Sequence, residues 1–224
     1  AGVAPTPVTG LLHAVAVVNS GAFAMMRLTY YCYGAEKIRN TWAQKVLMVI
    51  VIFTIVYGCS RAVKETHIKR RLAYSTISNL SYILLGLAML NPVAMTGSIL
   101  HIIYHAIIKG AMFMIAGYII AMTGKTKVCE LKGLGNKMKP PFVCFVVAAL
   151  ALIGIPPTCG IVSKWYLAVG CLNSNIKVFD WLGPVVLLIS AMLTAGYLLP
   201  IATEAFIRRD KEKDTQDKVK KAEA

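Results

Sequence analysis

Acidic residues are scarce in this chain of 224 residues, which has 10 Asp and Glu against 24 Lys and Arg and a formal net charge of +14. Glu36, Glu65 and Glu130 lie outside the apolar segments with the acids of the C-terminal tail, and Asp180 and Glu204 lie at segment ends. The sequence therefore offers no carboxylate in the middle of an apolar segment that could neutralise a lysine there.

Motifs for metals and cofactors are missing as well. The six cysteines are scattered without any Cys-x-x-Cys pair, which argues against a metal site or a disulfide framework and favours small core- or lipid-facing thiols. No nucleotide-binding loop, flavin motif or haem site is visible, so we predict no cofactor.

The N-terminal end lacks two further features. It has no positively charged stretch before the first apolar run, so we expect no cleavable signal peptide. It also begins with Ala1 and not with Met, which suggests a trimmed chain or a fragment of a longer protein.

Long apolar segments dominate what is present. Hydrophobic residues make up 57% of the chain and charged residues only 15%, which is typical of a polytopic membrane protein. Six segments are long enough, or nearly so, to cross the bilayer as helices. They are residues 8–26, 43–58, 72–90, 93–122, 142–172 and 181–206. We predict an all-α membrane domain over residues 1–206 and a mixed-charge cytoplasmic tail over 207–224.

The basic residues are distributed in a way that indicates topology and not nucleic-acid binding. If the six segments alternate in direction, residues 61–71, 125–139 and 208–221 carry most of the Lys and Arg to one side. By the positive-inside rule this side faces the cytoplasm, and both termini lie there. We therefore expect a multi-pass protein of the cell or inner membrane.

Three titratable residues recur at intervals of four within the fourth apolar segment. His101, His105 and Lys109 share one helical stripe that climbs roughly 12 Å. An ionisable group at bilayer depth costs at least about 2.5–3.5 kcal/mol, so these residues need a function or a polar interior to face. A proton path is the functional interpretation of the stripe.

The fifth segment contains a predicted helix break. Pro156 and Pro157, between Gly154 and Gly160, must interrupt the backbone hydrogen bonds and leave two half-helices. Such a break is tolerated at membrane depth where protein or trapped water satisfies the freed carbonyls. Lys164 lies about one turn later, where it could share a hydrated cavity with them.

Each of these residues also has an ordinary structural explanation. His13 and His101 could be satisfied by hydrogen bonds between helices, and Lys164 could snorkel, with its charged end in water, if it lies near a helix end. A double proline is often only a kink. The break with its lysine and the neighbouring stripe together favour the functional interpretation.

Four stretches resemble one protein family. They are residues 4–14, the string Lys-Arg-Arg-Leu-Ala-Tyr-Ser-Thr-Ile-Ser-Asn-Leu-Ser-Tyr (69–82), the stripe of His101, His105 and Lys109, and Gly-Ile-Pro-Pro-Thr-Cys-Gly-Ile-Val-Ser-Lys-Trp (154–165). They are similar to the antiporter-like membrane subunits of respiratory complex I, of membrane-bound hydrogenases and of Mrp-type cation/proton antiporters. The form of the last motif looks most like the Mrp and hydrogenase-linked branch of this family.

The resemblance implies two inverted five-helix repeats, each with one broken helix, around a hydrated axis. This chain would hold one repeat and one helix of the preceding repeat. Lys164 would be the lysine of the broken helix, and His13 the histidine on the last helix of the first repeat. Lys69 would occupy a basic position at the cytoplasmic start of the third segment. A glutamate and a lysine of the first repeat have no counterpart here.

The function implied is proton translocation through lysines, histidines and water, within a multisubunit ion-pumping or redox-driven complex. Its partners would be other membrane subunits, the bilayer, and protons or sodium ions. A sodium/proton exchanger subunit, a purely structural membrane subunit and an inactive fragment stay open as alternatives.

Overall fold

The structure is a computed structural model, which describes residues 6–174, 176 and 178–207, with side chains for 8–12, 15–174, 176 and 178–206. The described residues form ten α-helices, joined in places by short π- or 3₁₀-helical turns. The helices are α1 (Thr6–Gly10), α2 (Val17–Arg27), α3 (Ala35–Ile38), α4 (Trp42–Lys64), α5 (Ile68–Ala88), α6 (Pro92–Thr123), α7 (Leu134–Lys137), α8 (Lys139–Ile153), α9 (Cys159–Leu172) and α10 (Phe179–Ile207).

Three of the described helices, α4, α6 and α10, are long and apolar enough to cross a membrane. The helices α8 and α9 are shorter apolar helices that succeed each other across a break. The N-terminal segment is less regular, because π-helical turns at Leu11–Val15 and Leu28–Tyr33 flank α2. The predicted all-α membrane fold with one broken helix is confirmed.

Helices α5 and α6 form an antiparallel hairpin whose register is fixed by side-chain contacts along its length. Near the turn, the Ser98 hydroxyl donates to the Ile83 carbonyl at 3.0 Å. Further from the turn, the Lys109 ammonium donates to the Leu72 carbonyl at 3.0 Å. The same number of residues separates Ser98 from Lys109 on α6 as separates Leu72 from Ile83 on α5. The antiparallel register is therefore constant between the two contacts. This register decides which α5 side chains face the stripe on α6.

Glycines let α9 approach α6 closely. A Cβ at Gly170 would lie 2.5 Å from the Ala94 backbone nitrogen, and one at Gly97 would lie 2.8 Å from the Leu167 nitrogen. Such distances exclude a side chain at either position unless the backbones move apart. Because α9 carries Lys164, this close contact places the lysine beside α5 and α6.

Two sets of loop contacts define the opposite ends of the helix bundle. At one end, His67 pairs with Lys127 in an isolated β-bridge, and the Gly133 N–H donates to the Glu204 carbonyl at 3.3 Å. At the other end, the Arg39 guanidinium donates to the Leu90 carbonyl at 2.8 Å. Between these ends, α4, α5, α6, the broken helix made of α8 and α9, and α10 run alternately up and down.

Candidate functional site

Lys109 is fully buried between α5 and α6. Its ammonium donates to the Leu72 carbonyl at 3.0 Å and to the Ser75 hydroxyl oxygen at 2.7 Å. Both acceptors lie on the face of α5 that the hairpin register turns toward α6. These polar atoms replace part of the hydration that the ammonium loses on burial.

The two histidines of the stripe are buried on the same side of α6. Their ring centroids lie 6.2 Å apart, with the ring planes 25° from parallel. His101 Nδ1 lies 3.0 Å from the Ser163 hydroxyl of α9, a hydrogen bond whose direction depends on the tautomer. Neither ring nitrogen of His105 has a hydrogen-bonding partner among the described groups. His101 is thus linked to the broken helix, whereas His105 is a buried polar group without a protein partner in the part described.

The double proline lies in the break between α8 and α9. Gly154 ends α8 with φ of +88°, a left-handed conformation that favours glycine. Pro156 and Pro157 are joined by a cis peptide bond and are exposed. Beyond the break, a Cβ at Gly160 would lie only 1.9 Å from the Ala151 carbonyl oxygen, so the two half-helices touch through backbone atoms.

The Lys164 side chain turns toward this break. Its ammonium donates to the carbonyls of Leu152 and Ile153, at 2.9 and 2.7 Å. The last carbonyls of a helix lack intrahelical partners and carry partial negative charge, so they are favourable acceptors for a cation. The ammonium also lies 5.6 Å from the centroid of the Tyr82 ring, within range of a cation–π contact.

Lys69 takes no part in these contacts among the described residues. Lys69 lies in the first turn of α5, half-buried, at the end of the bundle marked by the bridge between His67 and Lys127. His13 falls among the residues whose side chains lie outside the described part. The structure therefore brings together Lys109, His101, His105 and Lys164, and leaves Lys69 at the periphery.

The site also contains several hydroxyl groups that the sequence alone did not single out. Tyr82 packs edge-on against His101 at 5.4 Å between ring centroids, and its hydroxyl hydrogen-bonds to the Ser190 hydroxyl. Ser75 accepts from the Tyr197 hydroxyl at 2.6 Å as well as from Lys109. A signal was present in residues 74–82, where seven of nine side chains carry a hydroxyl or amide group within a segment that is long enough to cross the bilayer.

Carboxylates take no part in the described site. Among the described residues, the one ion pair joins Lys132 to Glu204 at 3.5 Å, at the surface. The acceptors for Lys109 and Lys164 are instead carbonyl and hydroxyl oxygens. No cluster of three or more His, Cys, Asp or Glu suited to a metal ion occurs in the described part of the chain. The arrangement can hold and release protons on nitrogen, with hydroxyl groups to accept and donate them.

Comparison with known proteins gives a consistent result. A model of the family described as NADH:quinone oxidoreductase/Mrp antiporter, TM, matches residues 1–194. The chain is 37% identical over 204 residues to NADH-quinone oxidoreductase subunit N from Desulforudis audaxviator, a match that covers 91% of this chain and 40% of the relative.

Solved structures show the same fold. A chain of the Mrp complex from Dietzia sp. superposes with a TM-score of 0.83 at 26% identity, covering 92% of this chain and 37% of that one. A chain of respiratory complex I from Thermus thermophilus, at 21% identity, gives a TM-score of 0.73 over 84% of this chain and 39% of its own length.

The chain spans about 40% of the length of the curated relatives it matches. Within that part, the family match runs through every helix of the site, from the N-terminal segment into α10. The chain therefore belongs to the family of membrane subunits shared by NADH:quinone oxidoreductases and Mrp antiporters.

Proposed function

We propose that this chain moves protons as an antiporter-like membrane subunit of a multisubunit complex, by way of Lys164, Lys109 and the histidines between them. The observation that carries the proposal is that two lysine ammonium groups lie inside the bundle and bond only to neutral oxygens among the described residues. An ammonium without a counter-ion in such a place costs little to deprotonate.

The two lysines have different surroundings, which suits a transfer between them. Lys164 faces the partial negative charge at the end of α8, which favours its protonated form. Lys109 is more deeply buried and is held by one carbonyl and one hydroxyl. A charge that approaches or withdraws from Lys164 would shift the balance between them.

The histidine stripe supplies the connection between the lysines. His101 is tied to α9 through Ser163, and His105 stands one turn before Lys109 with both ring nitrogens unpartnered among the described groups. A buried polar atom without a protein partner is a favourable position for an ordered water molecule. Water at His105 would link the imidazole to Lys109 and complete the proton path.

The driving energy would come from other subunits. The relatives are named as subunits of NADH-quinone oxidoreductase, and the structural neighbours belong to the Mrp complex and to complex I. We therefore propose other membrane subunits as partners, with the carboxylate that alternately stabilises Lys164 supplied from outside the described residues.

The test is proton transport by the intact complex in inverted membrane vesicles. Lys164→Ala and Lys109→Met should each reduce acidification per assembled complex by at least about tenfold, because each removes the group that carries the proton. Lys125→Ala is the matched control, since Lys125 is exposed in the turn after α6, and it should transport normally. Undiminished acidification by both site variants would refute the proposal.

Transport assays in the same vesicles distinguish the alternative functions. A requirement for sodium ions would indicate a sodium/proton exchanger on the same scaffold. If the chain is purely structural, Lys109→Met should change the amount of assembled complex and leave transport per complex unchanged.

A further inference from the structure

Lys109 has polar neighbours on α5 and α10 in addition to the histidines of its own helix. The Ser75 hydroxyl, which accepts from Lys109, also accepts from the Tyr197 hydroxyl of α10 at 2.6 Å. The Tyr197 hydroxyl in turn lies 3.4 Å from the Thr194 hydroxyl oxygen. All three hydroxyl side chains are buried, so Lys109 is connected to α10 by a line of hydroxyl groups.

The line continues toward the other lysine. Thr194 donates to the Ser190 carbonyl at 2.7 Å, and the Ser190 hydroxyl hydrogen-bonds to the hydroxyl of Tyr82. The ring of Tyr82 in turn lies next to the Lys164 ammonium. The Cys59 thiol is also 2.9 Å from the Ser190 hydroxyl. These buried polar groups all lie on α4, α5 and α10, and none of them is a histidine.

Simple core packing does not explain this arrangement. Phenylalanine fills nearly the same volume as tyrosine, and valine nearly the same as threonine, without a polar atom to satisfy. Tyr82 and Tyr197 are among the largest fully buried side chains of the bundle. Each directs its hydroxyl toward another hydroxyl and not toward a backbone carbonyl, which is the arrangement that allows a proton to be passed on.

We propose that the hydroxyls of Ser75, Tyr197 and Thr194 form a branch of the proton pathway that reloads Lys109 from α10, separate from the histidine stripe. The inference rests on the proposed function, because it assigns the route by which one of the proposed proton carriers is refilled.

The transfer is balanced in protons. The neutral Lys109 amine takes the Ser75 hydroxyl proton as an N–H bond forms and an O–H bond breaks. Ser75 takes the proton of Tyr197, and Tyr197 takes that of Thr194 once the threonine hydroxyl turns away from the Ser190 carbonyl. A hydronium ion beside Thr194 gives up one proton, which restores the last O–H bond, and is left as water. Because the shifts are concerted, the net change is one proton entering at Thr194 and one ammonium formed at Lys109.

Single-atom variants test this branch in the intact complex. Tyr197→Phe and Thr194→Val each remove one hydroxyl and keep the shape of the side chain. Each should slow acidification of inverted vesicles per assembled complex by at least about tenfold. Thr194→Ser keeps the hydroxyl and should restore most of the rate. The ratio of rates in H₂O and D₂O should rise in the slowed variants, which a change in packing alone would not produce.

Thr203→Val is the matched control. Thr203 lies on the same helix and, like Thr194, donates to the carbonyl four residues earlier, but it is exposed. It should transport at the normal rate. Normal transport by both Tyr197→Phe and Thr194→Val, in membranes where Lys109→Met abolishes transport, would overturn the hydroxyl branch and leave the proposed function intact. Normal transport by Lys109→Met would instead overturn the proposed function.

Discussion

At the scale of single residues, the site depends on backbone oxygens as much as on side chains. Leu72 and the last residues of α8 contribute only carbonyl groups to the two lysines. No pattern of side chains in the sequence can identify such acceptors, because every residue has a carbonyl. The lysines themselves were predictable, since a cation inside a long apolar segment is conspicuous.

Gly160 offers a test of how the two half-helices hold Lys164. A Cβ at this position would lie 1.9 Å from the Ala151 carbonyl oxygen, a backbone atom that cannot move alone. Gly160→Ala should push α9 away from α8 and destabilise the protein by about 1–3 kcal/mol, the usual cost of overpacking. Denaturant titration of the detergent-solubilised protein would measure this.

The control for this prediction is Gly196→Ala in α10, where a Cβ would meet nothing within 4 Å. That change should leave the free energy of unfolding unchanged or raise it slightly, because alanine favours a helix. Equal stability of the two variants would contradict the packing inferred at the break.

At the scale of helices, the break between α8 and α9 was the irregular feature that the sequence predicted with the right cause. Proline removes a backbone donor, and glycine permits the left-handed conformation that Gly154 adopts. The course of the chain beyond the break depends on packing, because α9 lies against α6 through Gly97 and Gly170. The direction of the second half-helix, and so the place of Lys164, is set by that contact.

Asn91 shows how one side chain joins two helices. Its carboxamide oxygen accepts from the backbone N–H groups of Val93 and Ala94 at the start of α6, while its nitrogen donates to the Gly170 carbonyl of α9 at 2.9 Å. Asn91→Ala should lower the free energy of unfolding by about 2 kcal/mol through loss of the cap and of the interhelical bond.

A second substitution separates the contribution of the cap from that of the interhelical hydrogen bond. Asn91→Ser keeps an N-cap acceptor and loses the bond to α9, so it should cost about 1 kcal/mol. Thr41→Ala at the start of α4 is the control for removing a polar N-cap side chain that does not cap, because the Thr41 hydroxyl donates to the Ile38 carbonyl and makes no capping bond to α4. If both Asn91 variants matched this control in denaturant titrations, the dual role of Asn91 would be wrong.

At the scale of the whole molecule, the described basic residues gather toward one end of the bundle. The loops that meet there, around His67 and Lys127, include residues 61–71 and 125–139. The opposite end, where Arg39 contacts Leu90, has fewer. We propose, from the positive-inside rule, that the first end faces the cytoplasm.

Two exposed cysteines at opposite ends allow this orientation to be measured. Cys129 lies in the turn between α6 and α7, and Cys32 lies after α2. In single-cysteine variants, in which the other five cysteines are replaced, a membrane-impermeant thiol reagent should label Cys129 from the cytoplasmic side and Cys32 from the outside. The reverse labelling would refute the proposed orientation, and labelling of both from one side would refute the alternation of the segments.

The sequence by itself determined the class of the protein, because uniform hydropathy over bilayer-length segments requires helices in a membrane, and because the double proline must break one of them. It also marked the titratable nitrogens, since each costs free energy where it lies. Only the tertiary structure decided what those nitrogens touch. The hydroxyls of Ser75 and Tyr197 are 122 residues apart in the chain and meet through the packing of α10 on α5, a contact that depends on the register and close approach of helices and has no signature in local sequence.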